Sequence, residues 1–213
     1  MPMNGGTVIF RPVSQIAGLY CACAVAPLIA GSVSVTNDGL SPGSDIVLGP
    51  VTTAGAQLYS NPNGTTWVTG NLTATDGPVT FTDAVNLKAG LTLSAGSGVV
   101  SFAGGVAVNP GTLTVAGGVV LSDSATFSAT LNGTDADSYS QLTASGPVDL
   151  GGSTLSLTLG FTPDVGDTFT LVSSDAGPIT GTFAGLDNGS ALVLNGLTFH
   201  IHYTAKSVFL TVG

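Results

Sequence analysis

The two histidines of this 213-residue chain, His200 and His202, are the residues whose type and spacing first suggest chemistry. They alternate with Phe199, Ile201 and Tyr203, so a β-strand would place both imidazoles on one face. Two imidazoles on one strand can hold a metal ion, but a zinc site needs a third and usually a fourth ligand. Because both cysteines lie near the other end of the sequence, the pattern favours an outward polar pair over a metal site.

Two pairs of aspartates are the second candidates, because polysaccharide lyases and glycosidases work with paired carboxylates. Asp135 and Asp137 stand close together, as do Asp164 and Asp167, and both pairs occupy turn-like sequence. Aspartate is common in turns because its side chain hydrogen-bonds its own backbone. A lyase for acidic sugars also needs a cation in its cleft, and Lys88 is the only one in the regular repeats described below. We therefore assign no catalytic residue and keep a carbohydrate-active enzyme as the alternative.

Other chemical motifs give little support for a site. Aspartates in turns are hard oxygen ligands suited to weak extracellular calcium binding. The sequence has no Gly-Gly-x-Gly-x-Asp calcium repeat, no phosphate-binding loop and no Cys-x-x-Cys pair. Four glycosylation sequons are expected by chance in a chain so rich in Thr and Ser, and we interpret them as turns: Asn63, Asn71, Asn132 and Asn188. We predict no cofactor and no metal site beyond weak calcium binding.

The longest apolar stretch, from Ile16 to Ala30, contains both cysteines. Cys21 and Cys23 are separated only by Ala22, so a disulfide between them would be strained. Arg11 precedes the stretch and small residues occur near its end, as in a secretion signal. The stretch is short for a membrane-spanning helix, which needs about 20 residues. Residues 1–31 are therefore either a signal segment or the first strands of the fold.

The composition excludes several classes of protein. Twelve acidic residues, all aspartate, stand against three basic ones, giving a net charge of −9 with only 7% charged residues. Helical bundles and doubly wound α/β domains need Glu, Lys and Arg on their outer helix faces, so both are excluded. Three scattered cations cannot neutralise a phosphate backbone, which excludes a nucleic-acid partner. Hydrophobic residues make up 43% of the chain and recur in short alternating runs, and 31 residues are glycine. This composition indicates an all-β protein whose surface carries Thr, Ser, Asn and Asp.

A repeat with a period of about 21 residues organises the middle of the sequence. Five apolar positions recur at this spacing: Leu72, Val79, Phe81, Val85 and Leu87 are followed by Leu93, Val100, Phe102, Val106 and Val108. A repeat of two or three short strands cannot bury its apolar side chains alone and stacks on its neighbours, as in a β-solenoid. Outward positions then form ladders in which like charges repel, which explains the low charge. At this period residues 32–213 would hold eight or nine repeats, about 40 Å long at about 4.8 Å each.

Two Thr-x-Thr pairs in one repeat raise a third possibility, a face that binds ice or another crystal surface. Such a face must keep its rows in every repeat if the side chains are to match a lattice. One repeat later both pairs are lost, as Thr73/Thr75 and Thr80/Thr82 become Ser94/Gly96 and Ser101/Ala103. The broken rows rank this alternative below the other two.

The pattern becomes less regular after residue 132, and its aromatic content rises. Alternating runs predict further strands at 148–161, 166–172, 179–183, 191–194, 197–203 and 207–212. We predict that residues 133–213 form the last repeats and a β-cap, which shields the end of the core from pairing with another chain.

Several strings in this C-terminal part are similar to a segment of large bacterial surface proteins with β-strand repeats, a group related to autotransporter passengers and filamentous-haemagglutinin-like adhesins. They are residues 139–146, 148–155, 160–163, 166–171 and 181–186, and residues 49–104 resemble the repeats that precede that segment. The family's usual Gly-Gly-x-Gly-Asn-Asp element is replaced by Thr-Ala-Lys-Ser at residues 204–207. The resemblance implies a right-handed parallel β-helix at the cell surface that acts in adhesion or as a stalk.

The resemblance implies a secreted or surface-attached bacterial protein, and the patterns divide the chain into three segments. Residues 1–31 form the apolar N-terminal segment, residues 32–132 the β-solenoid repeats, and residues 133–213 the last coils and the cap. We expect a non-enzymatic rod that contacts cell-surface glycans or matrix and self-associates through its ends. We expect no transmembrane barrel within these residues.

Overall fold

The computed structural model describes residues 7–10, 21–23, 31–37 and 45–213, which form an all-β fold. The only helical turn in these ranges is a 3-10 turn at Ala136–Ser138. The strands are, in chain order, β1 (Thr7–Phe10), β2 (Cys21–Cys23), β3 (Ser32–Thr36), β4 (Ile46–Leu48), β5 (Val51–Thr53), β6 (Gln57–Ser60), β7 (Thr66–Val68), β8 (Leu72–Ala74), β9 (Val79–Phe81), β10 (Val85–Leu87), β11 (Thr92–Phe102), β12 (Gly105–Val108), β13 (Gly111–Leu121), β14 (Thr126–Leu131), β15 (Ser140–Ala144), β16 (Val148–Asp149), β17 (Thr154–Leu159), β18 (Thr168–Ser174), β19 (Ile179–Thr180), β20 (Ala191–Leu194), β21 (Leu197–Tyr203) and β22 (Ser207–Val212).

Strands one repeat apart lie side by side and run parallel. Strands β8, β9 and β10 form one repeat, and they pair with the first part of β11, the last part of β11 and β12. All five sequence matches are register partners in these pairs: Leu72 with Leu93, Val79 with Val100, Phe81 with Phe102, Val85 with Val106 and Leu87 with Val108. The spacing of apolar residues therefore predicted the register as well as the strands.

The strands form two sheets. The smaller has seven strands, all parallel, in the order β17-β14-β12-β10-β7-β4-β2. The larger has 15 strands and is mixed, because it is parallel from β1 to β18 and continues antiparallel through β22, β21 and β20. It branches because β11 and β13, each 11 residues long, pair with different strands at their two ends.

The repeat lengthens beyond residue 132. The register partner of Val106 is Phe127, one sequence period later, whereas the partner of Phe127 is Leu155, which lies well beyond the next period. The sequence estimate of eight or nine repeats is therefore too high, because it assumed one period throughout and counted the antiparallel strands as repeats. The predicted strand at 148–161 is also two strands, separated by a turn in which Gly151 and Gly152 have positive φ.

Inward side chains from successive repeats stack into columns along the core. Tyr59, Phe81 and Phe102 form one column, with ring centroids 5.3 and 5.4 Å apart, and all three are fully buried. The column starts beside a buried polar group, because the Tyr59 hydroxyl donates to Gln57 Oε1 at 2.9 Å. Gln57 Nε2 in turn donates to the Thr53 hydroxyl and to the Thr73 carbonyl. These bonds satisfy the polar atoms of the buried Gln57 side chain. The register partners of Gln57 in the two neighbouring repeats, Val33 and Val79, are apolar.

The substitution Tyr59→Phe is expected to reduce the free energy of unfolding by about 1–2 kcal/mol, because it leaves the buried Gln57 oxygen without this donor. The ring column keeps its shape, so the dependence of that free energy on urea should have an unchanged slope. Urea unfolding followed by circular dichroism measures both quantities. A midpoint equal to the wild type would show that the Gln57 oxygen gains nothing from this bond.

The last strands form an antiparallel C-terminal meander, made of β20, β21 and β22 on the edge of β18. Its inward side chains Phe199, Ile201 and Leu210 are completely buried. Phe199 packs on Phe169 of β18 with ring centroids 6.5 Å apart. The meander thus extends the larger sheet with strands of reversed direction.

The N-terminal segment 1–31 contains β1 and β2, which pair in parallel with β3 and β4. Most of this segment lies outside the described residues. The prediction that residues 1–31 are either a signal segment or the first strands concerns those residues and stays a prediction. No helix in the described ranges is long and apolar enough to span a membrane.

Candidate functional site

The histidines share a face of β21, as predicted, but each has its own neighbours. His202 Nε2 lies 3.0 Å from the Thr211 hydroxyl, and its ring stacks on Phe209 at a centroid distance of 5.0 Å. His200 Nδ1 lies 3.4 Å from the Gly189 carbonyl oxygen. In the part of the chain that the structure describes, no three His, Cys, Asp or Glu side chains cluster as a metal site would require. The contacts agree with an outward polar pair.

The aspartate pairs lie in turns. Asp135 precedes the 3-10 turn and Asp137 lies within it, and both side chains are exposed. Asp167 accepts a hydrogen bond from the Asp164 backbone N–H at 2.9 Å, so these two residues form one turn. Asp83 has a different role, because its Oδ2 accepts bonds from the Ser60 hydroxyl and the Asn61 N–H and so links two repeats.

The threonine rows break where the sequence predicted. Thr73 pairs in register with Ser94, and Thr80 pairs with Ser101. Residues 39–43 match a Gly-x-Ser-x-Gly pattern and lie outside the described residues.

A cleft lies between the edges of the two sheets, and the sequence did not predict it. One wall is β17, the last strand of the smaller sheet, and the other is β20, the last strand of the larger. The cleft has a volume of about 290 Å³, and six residues line it: Leu155, Ser156, Leu157, Leu192, Val193 and Leu194. We call this the edge cleft. No side chain in its lining carries a charge.

The free edge of β17 exposes a defined set of backbone groups. The Thr154 N–H donates to the Ala125 carbonyl at 2.9 Å, and the Gly160 N–H donates to the Leu131 carbonyl at 2.7 Å. Even-numbered residues of β17 therefore face β14. Because successive residues of a strand point their N–H and C=O groups to opposite sides, Leu155, Leu157 and Leu159 direct theirs to the free edge. No described strand pairs with that edge.

Tyr203 holds the loop that leads into β20. Its hydroxyl accepts a hydrogen bond from the Phe183 N–H at 3.1 Å, and its own N–H donates to Asn188 Oδ1 at 2.8 Å. Burial raises the pKa of Tyr203, the bond from Phe183 partly offsets this, and the nearby Asp187 carboxylate raises it further. Tyr203 thus ties the loop that precedes the second wall of the edge cleft to β21 through two hydrogen bonds.

Stability is expected to fall as pH rises through the alkaline range, because the Tyr203 pKa is higher in the folded chain than its usual 10.0. The folded state then keeps a proton that the unfolded state releases, so this contribution is complete below the unfolded pKa and is lost above it. Urea midpoints of wild type and Tyr203→Phe should therefore approach each other as pH rises above about 10, the usual pKa of tyrosine. A constant difference between the two midpoints would contradict the raised pKa.

No protein-family model matches the chain, and no curated protein matches it. The resemblance to bacterial surface proteins with β-strand repeats accordingly stays a prediction.

Proposed function

We propose that this chain is a right-handed parallel β-helix that serves as a structural or adhesive rod in a secreted or surface-attached bacterial protein. The observation that supports a rod is the parallel pairing of strands one repeat apart, which runs through the smaller sheet and through the larger sheet as far as β18. Each repeat buries its apolar residues only against its neighbours, so the fold grows along one axis. A stiff column of this kind suits a mechanical role.

The outer surface suits weak contacts repeated along the rod. One outward row of the smaller sheet carries no charge and runs through Trp67, Asn86, Ala107, Ser128 and Ser156. The serine hydroxyls of this row offer hydrogen bonds to sugars, whereas the Asn86 side-chain oxygen is buried. Repetition along a rod multiplies weak affinities. We propose cell-surface glycans or matrix as the partners of this surface. The function needs no catalytic group and no cofactor.

The C-terminal meander is proposed as the cap of this rod. A parallel stack ends in a layer whose apolar side chains and strand edges are open to pairing with another chain. The reversed strands β22, β21 and β20 bury Phe169, Phe199 and Leu210 at that end. They cover the end of the larger sheet and leave β17 as the edge of the smaller one.

Small-angle X-ray scattering and limited proteolysis test the rod. We expect scattering from an elongated particle and a fragment containing residues 45–213 that survives thermolysin. Incubation with uronate-rich polysaccharides tests the enzymatic alternative. Release of unsaturated sugars that is abolished by Asp135→Ala or Asp137→Ala would overturn the non-enzymatic proposal, and a spherical particle would overturn the rod.

A further inference from the structure

We infer that the edge cleft binds an extended basic segment of another polypeptide, which adds to β17 as a further strand. The inference deepens the proposed function by naming a protein partner for one end of the rod. Its first support is the row of backbone groups that Leu155, Leu157 and Leu159 direct to the free edge of β17. Such groups are matched by the main chain of an incoming strand, as in other cases of β-strand addition.

The apolar lining of the cleft specifies the side chains of that strand. Leu155 and Leu157 on one wall and Leu192 and Leu194 on the other are half-buried and pack against the core. They recur at every second position, so an incoming strand would meet them with apolar side chains at alternate positions. Its other side chains would point to solvent.

The edge of β17 lacks the features that usually prevent strand addition. Native edge strands are protected by charges, prolines or bulges. Strand β17 contains only Thr, Leu and Ser, and its pairing with β14 is regular over all six residues. A protein otherwise capped at this end thus keeps one edge open.

Charge favours a segment of another protein over a second copy of this chain, because each copy carries a net charge of −9. Strand β20 lines the same cleft as β17, and Val193 at its centre is 73% exposed. An extended segment that pairs with β17 would therefore also lie next to β20.

The net charge of the C-terminal part favours a basic partner. Residues 133–213 contain seven aspartates and one cation, Lys206. The Lys206 Nζ donates to the Asp175 and Gly177 carbonyls at 3.0 Å. Solvent-facing Lys or Arg side chains on the incoming strand would complement this negative net charge and make binding weaken with salt.

The test uses a short peptide of alternating lysine and valine, labelled with fluorescein, in an anisotropy titration with the full chain. We expect saturable binding that weakens with salt. The substitution Val193→Lys places a positive charge in the cleft and should weaken binding about tenfold. Val165→Lys makes the same change at a site that is 79% exposed and outside the cleft lining, and it should change binding by less than about twofold.

Two further peptides separate the causes of binding. Methylation of alternate backbone nitrogens keeps the side chains but removes the strand's donors, so we expect binding to be lost. Aspartate in place of lysine should also abolish it. Equal binding of the methylated peptide, or equal effects of Val193→Lys and Val165→Lys, would overturn the inference. So would sedimentation of the chain alone as a dimer that Val193→Lys dissociates. None of these outcomes alters the particle shape or the protease-resistant fragment that test the rod.

Discussion

The substitution Phe81→Ala is expected to lower the free energy of unfolding by about 4 kcal/mol, the middle of the range for a buried phenylalanine. Phe81 is 1% exposed and stands in the middle of the column, between Tyr59 and Phe102. Its loss removes two ring stacks and leaves a cavity between three successive repeats. Those repeats are held at the fixed strand spacing by backbone hydrogen bonds, so they cannot close around it.

Phe209→Ala is the matched control, since it removes the same side chain from a different environment. Phe209 points outward from β22, is half-buried and stacks only on His202. We expect a cost of about 1 kcal/mol. Urea unfolding of both variants by circular dichroism gives the comparison. Similar costs for Phe81→Ala and Phe209→Ala would show that the column does not hold the repeats together.

The substitution Gly151→Ala is expected to cost about 3 kcal/mol or more, because it combines backbone strain with a steric clash. Gly151 has a φ of 57°, which L-residues rarely adopt. A Cβ at this position would also overlap the Leu121 carbonyl oxygen of the preceding repeat. The turn between β16 and β17 can therefore stack closely only with glycine there.

The next residue separates the two causes. Gly152 has a φ of 77°, but a Cβ added there would meet nothing within 4 Å. Gly152→Ala should therefore cost only the strain, about 1 kcal/mol. The difference between the two variants measures how tightly the turn packs on the preceding repeat. If thermal unfolding gives equal midpoints for both, the two repeats are not in close contact at this turn.

The parallel register was predictable because the apolar residues that pair in register recur at a constant spacing in the sequence. Phe81 and Phe102 occupy the same place in two repeats, and a shift by one position would turn both outward. The same reasoning failed after residue 132, where Phe127 pairs with Leu155 at a longer spacing. Loops of different length separate these strands, and periodicity carries no information about where a loop adds residues.

The histidine face was predictable, whereas the edge cleft was not. The alternation of residues 199–203 places His200 and His202 on one side of any strand. The cleft instead depends on which strands end the two sheets, and β17 and β20 are separated in sequence by β18 and β19. The buried role of Gln57 was equally hidden, because its partners Thr53, Tyr59 and Thr73 belong to three different strands.

Pairs of nitroxide spin labels test the stacking of repeats most directly. Labels at Thr80 and Ser101, one sequence period apart and in register, should show strong dipolar broadening, because paired strands lie about 4.8 Å apart. Labels at Ser128 and Ser156, which are in register across the longer spacing, should broaden equally. Labels at Ser128 and Asp149, separated by the same period as the first pair, should not, because Asp149 pairs with Val120. Broadening of the last pair, or its absence in the first two, would contradict a rod of parallel repeats whose period lengthens after residue 132.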